Sequence, residues 1–335
     1  MPEVLYHNRR AVQIENDLVR VTMLVEGGHI AEILHKPSGV NPLWTPPWPS
    51  IEHSSYQRTL HPEYGDDAES KLLAGIMGHN LCLDLFGPPS PEEAAAGMTT
   101  HGEASTAFYS ITSEKHQLLA KAELPTAQLA FQRQLRLTPG SPVVRFRETV
   151  ENLSSLDRPS SWTQHVTLGP PFLEPGATQF RAPATLSSTR NGIQFNWPQL
   201  PQEDGSTEDL SIYPRDTVSN RVTTHVMDSR IENAFFLAFS PRMKVLFGYT
   251  WKQRDFPWLC IWDENCGREA IPWSSRTITR GLEFGVSPFP ESRRNMIERN
   301  SVFDIPCYRW FPAKTRTSIE YSAFVDRSEG IQDAV

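Results

Sequence analysis

The sequence predicts an all-β protein, a large antiparallel β-sandwich, on three observations. No stretch keeps the apolar period of a long helix. Short runs with apolar residues at every second position recur along the chain, as half-buried strands require. Turn formers separate them, with 28 prolines and 19 glycines as punctuation. The runs are Val12–Ile14, Leu18–Val25, His29–Leu34, Phe108–Thr112, Gln128–Leu137 and Val143–Val150. They continue with Thr163–Leu168, Phe235–Phe239, Val245–Tyr249, Leu259–Trp262 and Ser318–Phe324. Asn16-Asp17 and Pro139-Gly140-Ser141 read as hairpin turns between neighbouring runs.

Two stretches interrupt this rhythm. Residues 44 to about 91 are rich in Pro, His and Gly and predict a long irregular excursion, ending in one short helix near 91–96. Residues 183 to about 218 predict a polar insertion with Gln202-Glu203-Asp204-Gly205-Ser206 as its exposed tip. Irregular segments this long are uncommon in compact proteins unless they act as lids or binding loops. No repeat, low-complexity tract or linker divides the chain, so residues 1–335 are expected to form one domain.

At 335 residues the chain is long enough to bury a substantial core. Its 32 basic and 39 acidic residues leave a net charge of −7, with no Lys/Arg-rich block. That balance argues against nucleic acid or an anionic membrane surface as the main partner. No segment approaches the length of a membrane span, and the opening Met-Pro-Glu-Val-Leu-Tyr-His lacks the pattern of a secretory leader. A cytoplasmic protein, monomeric or homodimeric, is the expectation. Cys82, Cys260, Cys266 and Cys307 form no CxxC pair, so they are expected to be reduced, mostly buried thiols.

The chemistry-bearing residues stand out by their surroundings. Glu283 lies in Arg280-Gly281-Leu282-Glu283-Phe284-Gly285-Val286, where strand parity puts Gly281, Glu283 and Gly285 on one face. Glycines inside a strand mark close approach of a ligand or another backbone, so this carboxylate reads as a base presented to a substrate. In Trp162-Thr163-Gln164-His165-Val166-Thr167-Leu168, parity puts His165 on the polar face with Thr163 and Thr167, Gln164 being the exception. A histidine there can donate a proton near neutral pH, or can be a hydrogen-bonded structural group. His101, Glu103 and Ser105 align if their segment is a strand; neither HxH nor HExxH accompanies them, and no metal ligand set is expected. Trp258 and Trp262 fall on one side of their run and read as sugar-stacking or core rings, as do Trp44, Trp48 and Trp273. His79-Asn80 reads either as pocket lining or as a local backbone cap.

Taken in order, these residues resemble the galactose mutarotase (aldose 1-epimerase) superfamily over about residues 15–324. Gly27-Gly28-His29-Ile30-Ala31-Glu32-Ile33 with Asn41-Pro42-Leu43-Trp44 resembles that family's opening hairpin and Asn-Pro-Leu-Trp run. His101-Gly102 resembles its first active-site motif, and Glu151-Asn152-Leu153-Ser154 followed by His165 its second. Pro257–Trp262 and then Leu282-Glu283 resemble the closing segment with the catalytic glutamate. The resemblance implies a galactose mutarotase-like supersandwich with a sugar on its concave face and no cofactor.

By that resemblance, Glu283 takes the proton of the anomeric hydroxyl, His165 protonates the ring oxygen and His101 stabilises charge there. Glu103, His79, Asp228, Trp258 and Trp262 are the implied or candidate substrate-binding residues. The branch acting on hexose 6-phosphates carries an Arg in a His-Gly-Phe-Ala-Arg run. Here Ser105 and Glu103 stand at the Arg and Phe positions, which favours a neutral sugar, with Arg254, Lys71 or Arg268 as substitute cations. The competing expectations are a non-catalytic carbohydrate-binding protein on the same fold and a glycoside hydrolase pairing Glu103 with Glu283. A metal-dependent sugar isomerase stands behind both.

Overall fold

The computed structural model describes residues 3–215 and 218–331. Among them, twelve strands form one antiparallel sheet and eight form a second. The first sheet starts at its edge with Val4–Tyr6, Arg9–Glu15, Val19–Leu24 and Ile30–His35, and continues through His79–Asp84. Next come Arg158–Leu168, Ile278–Gly285, Trp258–Asn265, Ser219–Met227, Ala184–Thr189 and Gln194–Asn196, with Arg309–Phe311 paired to the start of Arg158–Leu168 as the twelfth. The second sheet runs from Gln179–Arg181 through Asn233–Ser240, Val245–Lys252 and Arg316–Arg327 to Val143–Asn152, Leu129–Leu137, Gln117–Leu124 and Ser110–Glu114. The expected hairpins form: Asn16 turns the chain between Arg9–Glu15 and Val19–Leu24, and Thr138–Ser141 turns it before Val143. The short helix is Pro91–Ala95, started by Ser90 and Glu93 in a reciprocal capping box. No helix among the described residues is long and apolar enough to cross a membrane.

The irregular regions hold more order than their composition suggests. His79–Asp84 is a strand in the middle of the first sheet, inside the stretch expected to be irregular. All six of its residues are buried, so it lacks the alternation that betrays a half-exposed strand. The polar insertion carries Ala184–Thr189 and Gln194–Asn196, which extend the first sheet, and a separate hairpin of Gln199–Pro201 with Thr207–Asp209.

The two sheets pack face to face around one apolar core, to which Trp162, Val166, Leu282 and Phe284 contribute from the first sheet. Within it lies a fully buried polar knot. The Glu148 carboxylate accepts from Arg133 Nε at 2.7 Å, Gln164 Nε2 at 2.7 Å, Trp162 Nε1 at 3.0 Å and Tyr321 OH at 2.6 Å. Arg133 also donates to the carbonyl of Gly28 and to Gln164 Oε1. Gln164 Oε1 accepts from His79 Nε2 at 2.9 Å, which leaves His79 Nδ1 to accept from Tyr249 OH at 3.0 Å. Every member therefore meets a partner, the condition under which buried charge is tolerated.

Two outcomes test this core. Glu148→Ala strips four donors of their acceptor and leaves the Arg133 guanidinium buried without a counter-charge. It should cost roughly 3–5 kcal/mol in urea unfolding, and a loss below about 1 kcal/mol would mean the pair is not desolvated. The second concerns acid. Burial holds His29 and His225 down to about 3, and His53 and His79 well below their ordinary value. The unfolded chain takes these protons near pH 6.5 while the folded chain refuses them. Stability should be flat above that pH and fall below it, by about 1.4 kcal/mol per pH unit for each histidine. His225→Gln should flatten the slope between pH 6 and 4 by about one such increment.

Candidate active site

The face of the first sheet turned away from the core carries the candidate site. His165 pairs directly across the strands with Glu283, and Cys260 pairs with Glu283 on its other side. This register places His165 Nε2 3.0 Å from Glu283 Oε1. His165 Nδ1 lies 2.9 Å from Thr167 Oγ1, two residues along the same face. Glu283 folds back over Gly281, where an added Cβ would lie 2.5 Å from its Oε1. The space beside Gly285 is taken by Thr163, whose Oγ1 would lie 2.3 Å from a Cβ there. The two glycines thus make room for the carboxylate and its neighbouring strand. Cys260 lies beneath Glu283, its thiol held protonated by burial and by that carboxylate's charge.

His101 enters from above. The sequence predicts it on a strand with Glu103 and Ser105, but the segment is a turn leading into a 3-10 helix over Glu103–Ser105. His101 adopts a left-handed backbone (φ 65°), followed by Gly102 at φ 77°. A Cβ on Gly102 would lie 2.0 Å from the Leu83 carbonyl oxygen, so only glycine fits the pair's second position. The result is that the His101 ring sits 4.8 Å from that of His165. His101 is 8% exposed, and its Nδ1 has no hydrogen-bond partner among the described residues. Burial, and secondarily the neighbouring His165, holds its pKa well below the ordinary value, so the ring is neutral.

These three side chains and Trp262 line one end of a cavity of about 800 Å³. Ile76, Trp262 and Trp273 line one wall, backed by a small second core on the outer face of the sheet that also holds Trp44, Trp48, Tyr64 and Leu72. Arg268 lies over Trp262 and Trp273, 5.3 and 4.6 Å from their centroids, and pairs with Glu69 at 3.2 Å. Burial pushes the Glu69 carboxyl up against the opposing pull of Arg268. The opposite wall comes from the insertion, with Arg190, Asn191 and Ile193 from one hairpin and Gln202 and Glu203 from the next. Among the described residues, no group of three or more His, Cys, Asp or Glu is arranged to hold a metal ion.

The other expected binding residues are elsewhere. His79 faces the inter-sheet core, because it lies one residue out of parity with the cavity face. Asn80 has the right parity, opposite His165, but is fully buried and does not reach the cavity. Glu103 turns away and accepts from Thr126 Oγ1 and the Ala127 amide. The two-carboxylate hydrolase reading therefore loses its partner for Glu283. Asp228 caps an outer turn through Arg230, at 2.7 Å. Trp258 shares its face with Trp262 but is sealed in, its Nε1 donating to the Pro306 carbonyl. Of the three proposed substitute cations, Arg268 lines the cavity and Lys71 and Arg254 do not. Sequence reasoning missed Glu69, Arg190 and Asn191, which sit on distant loops without a motif.

The fold is that of the galactose mutarotase-like sandwiches. A structure from Klebsiella pneumoniae superposes with a TM-score of 0.70 at 14% identity, covering 96% of this chain and 80% of that one. One from Escherichia coli K12 gives 0.64 at 13%, covering 95% and 99%. Both carry the name "putative aldose 1-epimerase". A galactose mutarotase-like protein from Clostridium acetobutylicum gives 0.63 at 12%, covering 97% and 98%. At such identities the likeness establishes the fold. The chain itself belongs to the DUF4432 family, a domain of unknown function, whose model matches residues 51–271. Comparison with curated protein sequences finds no match.

The four cysteines are free thiols, and Cys82, Cys260 and Cys307 are buried. Burial raises Cys82 and Cys260 well above the usual thiol value and Cys307 to about 12. Iodoacetamide at pH 8 should therefore label Cys266 in the folded protein and spare the other three. Rapid labelling of Cys260, read by peptide mass spectrometry, would show that the cavity floor is open to reagent.

Proposed function

We propose that this cavity binds a sugar and interconverts its α and β anomers by acid–base ring opening. The observation that carries the reading is the Glu283–His165 pair, side by side at 3.0 Å on the cavity floor. A cyclic hemiacetal exchanges protons at two oxygens bonded to the same carbon, so acid and base must approach from neighbouring points. With Glu283 as the base its carboxylate accepts, and His165 Nε2 is the donor of the pair. A hemiacetal that inserts between them replaces one hydrogen bond with two. Its ring oxygen accepts from Nε2, and its anomeric hydroxyl donates to Oε1.

The steps then balance without a further reagent. Glu283 takes the hydroxyl proton while the C1–O5 bond breaks, leaving an aldehyde, and His165 delivers its proton to O5. Rotation about C1–C2 presents the other aldehyde face, and ring closure returns both protons. Thr167 holds the His165 ring through Nδ1, so that Nε2 stays aimed at Glu283 Oε1. The neutral His101 ring lines the cavity 4.8 Å from the His165 ring and brings no second charge beside the pair. Trp262, 5.9 Å from His165, offers an aromatic surface to the sugar's C–H face.

Anomer exchange followed by NMR over a panel of free aldoses tests this. Wild-type protein should exceed the buffer rate, and Glu283→Gln and His165→Ala should each lower kcat by about 10²–10⁴-fold. Gly281→Ala, which removes no polar group, should also slow exchange by displacing the carboxylate. Sugar binding with no acceleration in the wild type would sink the catalytic reading and leave a carbohydrate-binding protein.

A further inference from the structure

We propose that the cavity takes the reducing end of an oligosaccharide, with the sugar beyond it held by the two hairpins of the insertion. This rests on the anomer-exchange reading for the position of the reducing-end ring. The cavity's size is the first argument. At about 800 Å³ it falls in the upper part of the roughly 300–1,000 Å³ typical of pockets for drug-sized ligands, well beyond one hexose ring.

Its lining is the second argument. Glu283, His165, His101 and Trp262 serve one ring, yet the cavity continues to Arg190, Asn191, Ile193, Gln202 and Glu203. Those side chains have hydrogen-bonding capacity to spare. Arg190 makes one long contact, 3.5 Å to the Pro290 carbonyl. Gln202 uses its Nε2 on Glu208 and keeps its carbonyl oxygen. Asn191 and Glu203 have no side-chain hydrogen bond or ion pair among the described residues. Between these polar groups lies Ile193, 48% exposed on the cavity wall, with Leu200 and Val222 close by. Hydroxyl-binding groups around an apolar patch match the two surfaces of a sugar ring, its polar rim and its C–H face.

Charge fits a neutral ligand. The cavity's Arg268 is already paired with Glu69, and Arg221 with Glu208 and Asp263. Arg190 has no such pair among the described residues, but Asp67, Glu203 and Glu283 line the same cavity, so its lining carries no net positive charge to select an anionic group. A reducing-end sugar joined through a hydroxyl across the ring from C1 can keep its anomeric centre on the floor while its neighbour points toward the hairpins.

The test compares sugars that share a reducing end: maltose, cellobiose and lactose against glucose, and galactobiose against galactose. At least one disaccharide should exceed its monosaccharide in kcat/KM by tenfold or more. The Arg190→Ala/Asn191→Ala double variant should erase that advantage, acting on the disaccharide's KM rather than its kcat. Equal use of every monosaccharide and disaccharide, or an equal slowing of both by the double variant, would overturn the proposal. Calorimetric titration of the Glu283→Gln protein separates this from the reaction itself. Tighter binding of a disaccharide than of its monosaccharide, lost in the double variant, supports the second subsite even if no sugar is ever turned over. Binding of neither, or of both alike, refutes it.

Discussion

The hydrogen bond from Gln164 to Glu148 is the constraint on which the rest of the site depends. Gln164 breaks the polar–apolar pattern of its strand because it faces the inter-sheet core, where Glu148, Arg133, His79 and Tyr321 all bond to it. Once its side chain is fixed there, His165 must face the opposite way. The same strand pairs with the Glu283 strand residue by residue, from Thr163 opposite Gly285 to Leu168 opposite Arg280. A slip of one residue would put both site residues into the core and expose Val166 and Leu282. Buried polar contacts on one face therefore set the chemistry available on the other.

Much of this was legible in the chain. The sandwich followed from alternation and turn residues, and the shared face of Glu283 and its glycines followed from parity alone. Parity also separated His165 from Trp162 and Val166. It failed where its premise failed. The His101 segment is not a strand, so the alignment of His101 with Glu103 had no basis, and Glu103 turns outward to cap the Thr126 turn. The His79 strand, buried on both faces, offered no alternation from which to read its direction. Trp258 and Trp262 share a face as expected, but only packing from the Ile305–Cys307 segment decides that Trp258 is core.

The cavity walls were the least legible part. Arg268 reaches the site from a loop and is held by two indole rings, Trp262 and Trp273, that flank it in the chain without a recognisable motif. Arg190 and Asn191 stand at a hairpin tip whose strands have three to six residues, too short to leave a periodic signal. Such positions are specified by three-dimensional closure of the insertion over the sheet. Nothing in their local sequence distinguishes them from any polar turn. That is a common division of labour, in which a rigid sheet carries the reactive groups and variable loops define what reaches them.

The second core, on the cavity side of the sheet, has a consequence for how this protein fails. Trp44, Trp48, Leu72 and Trp273 cluster on the outer face, separated by the sheet from the larger core between the two sheets. Each cluster buries its own apolar surface, and the outer one is tied to the sheet through Trp262 and through the backbone bonds of Trp44 to Thr167 and Gly78. The loops that wall the cavity can then open as a cooperative unit of lower stability than the sandwich beneath them. Heat or mild denaturant is then expected to disorder the cavity wall while the circular dichroism of the sheets stays native. On that expectation the survival of the fold and the survival of the cavity are two separate quantities.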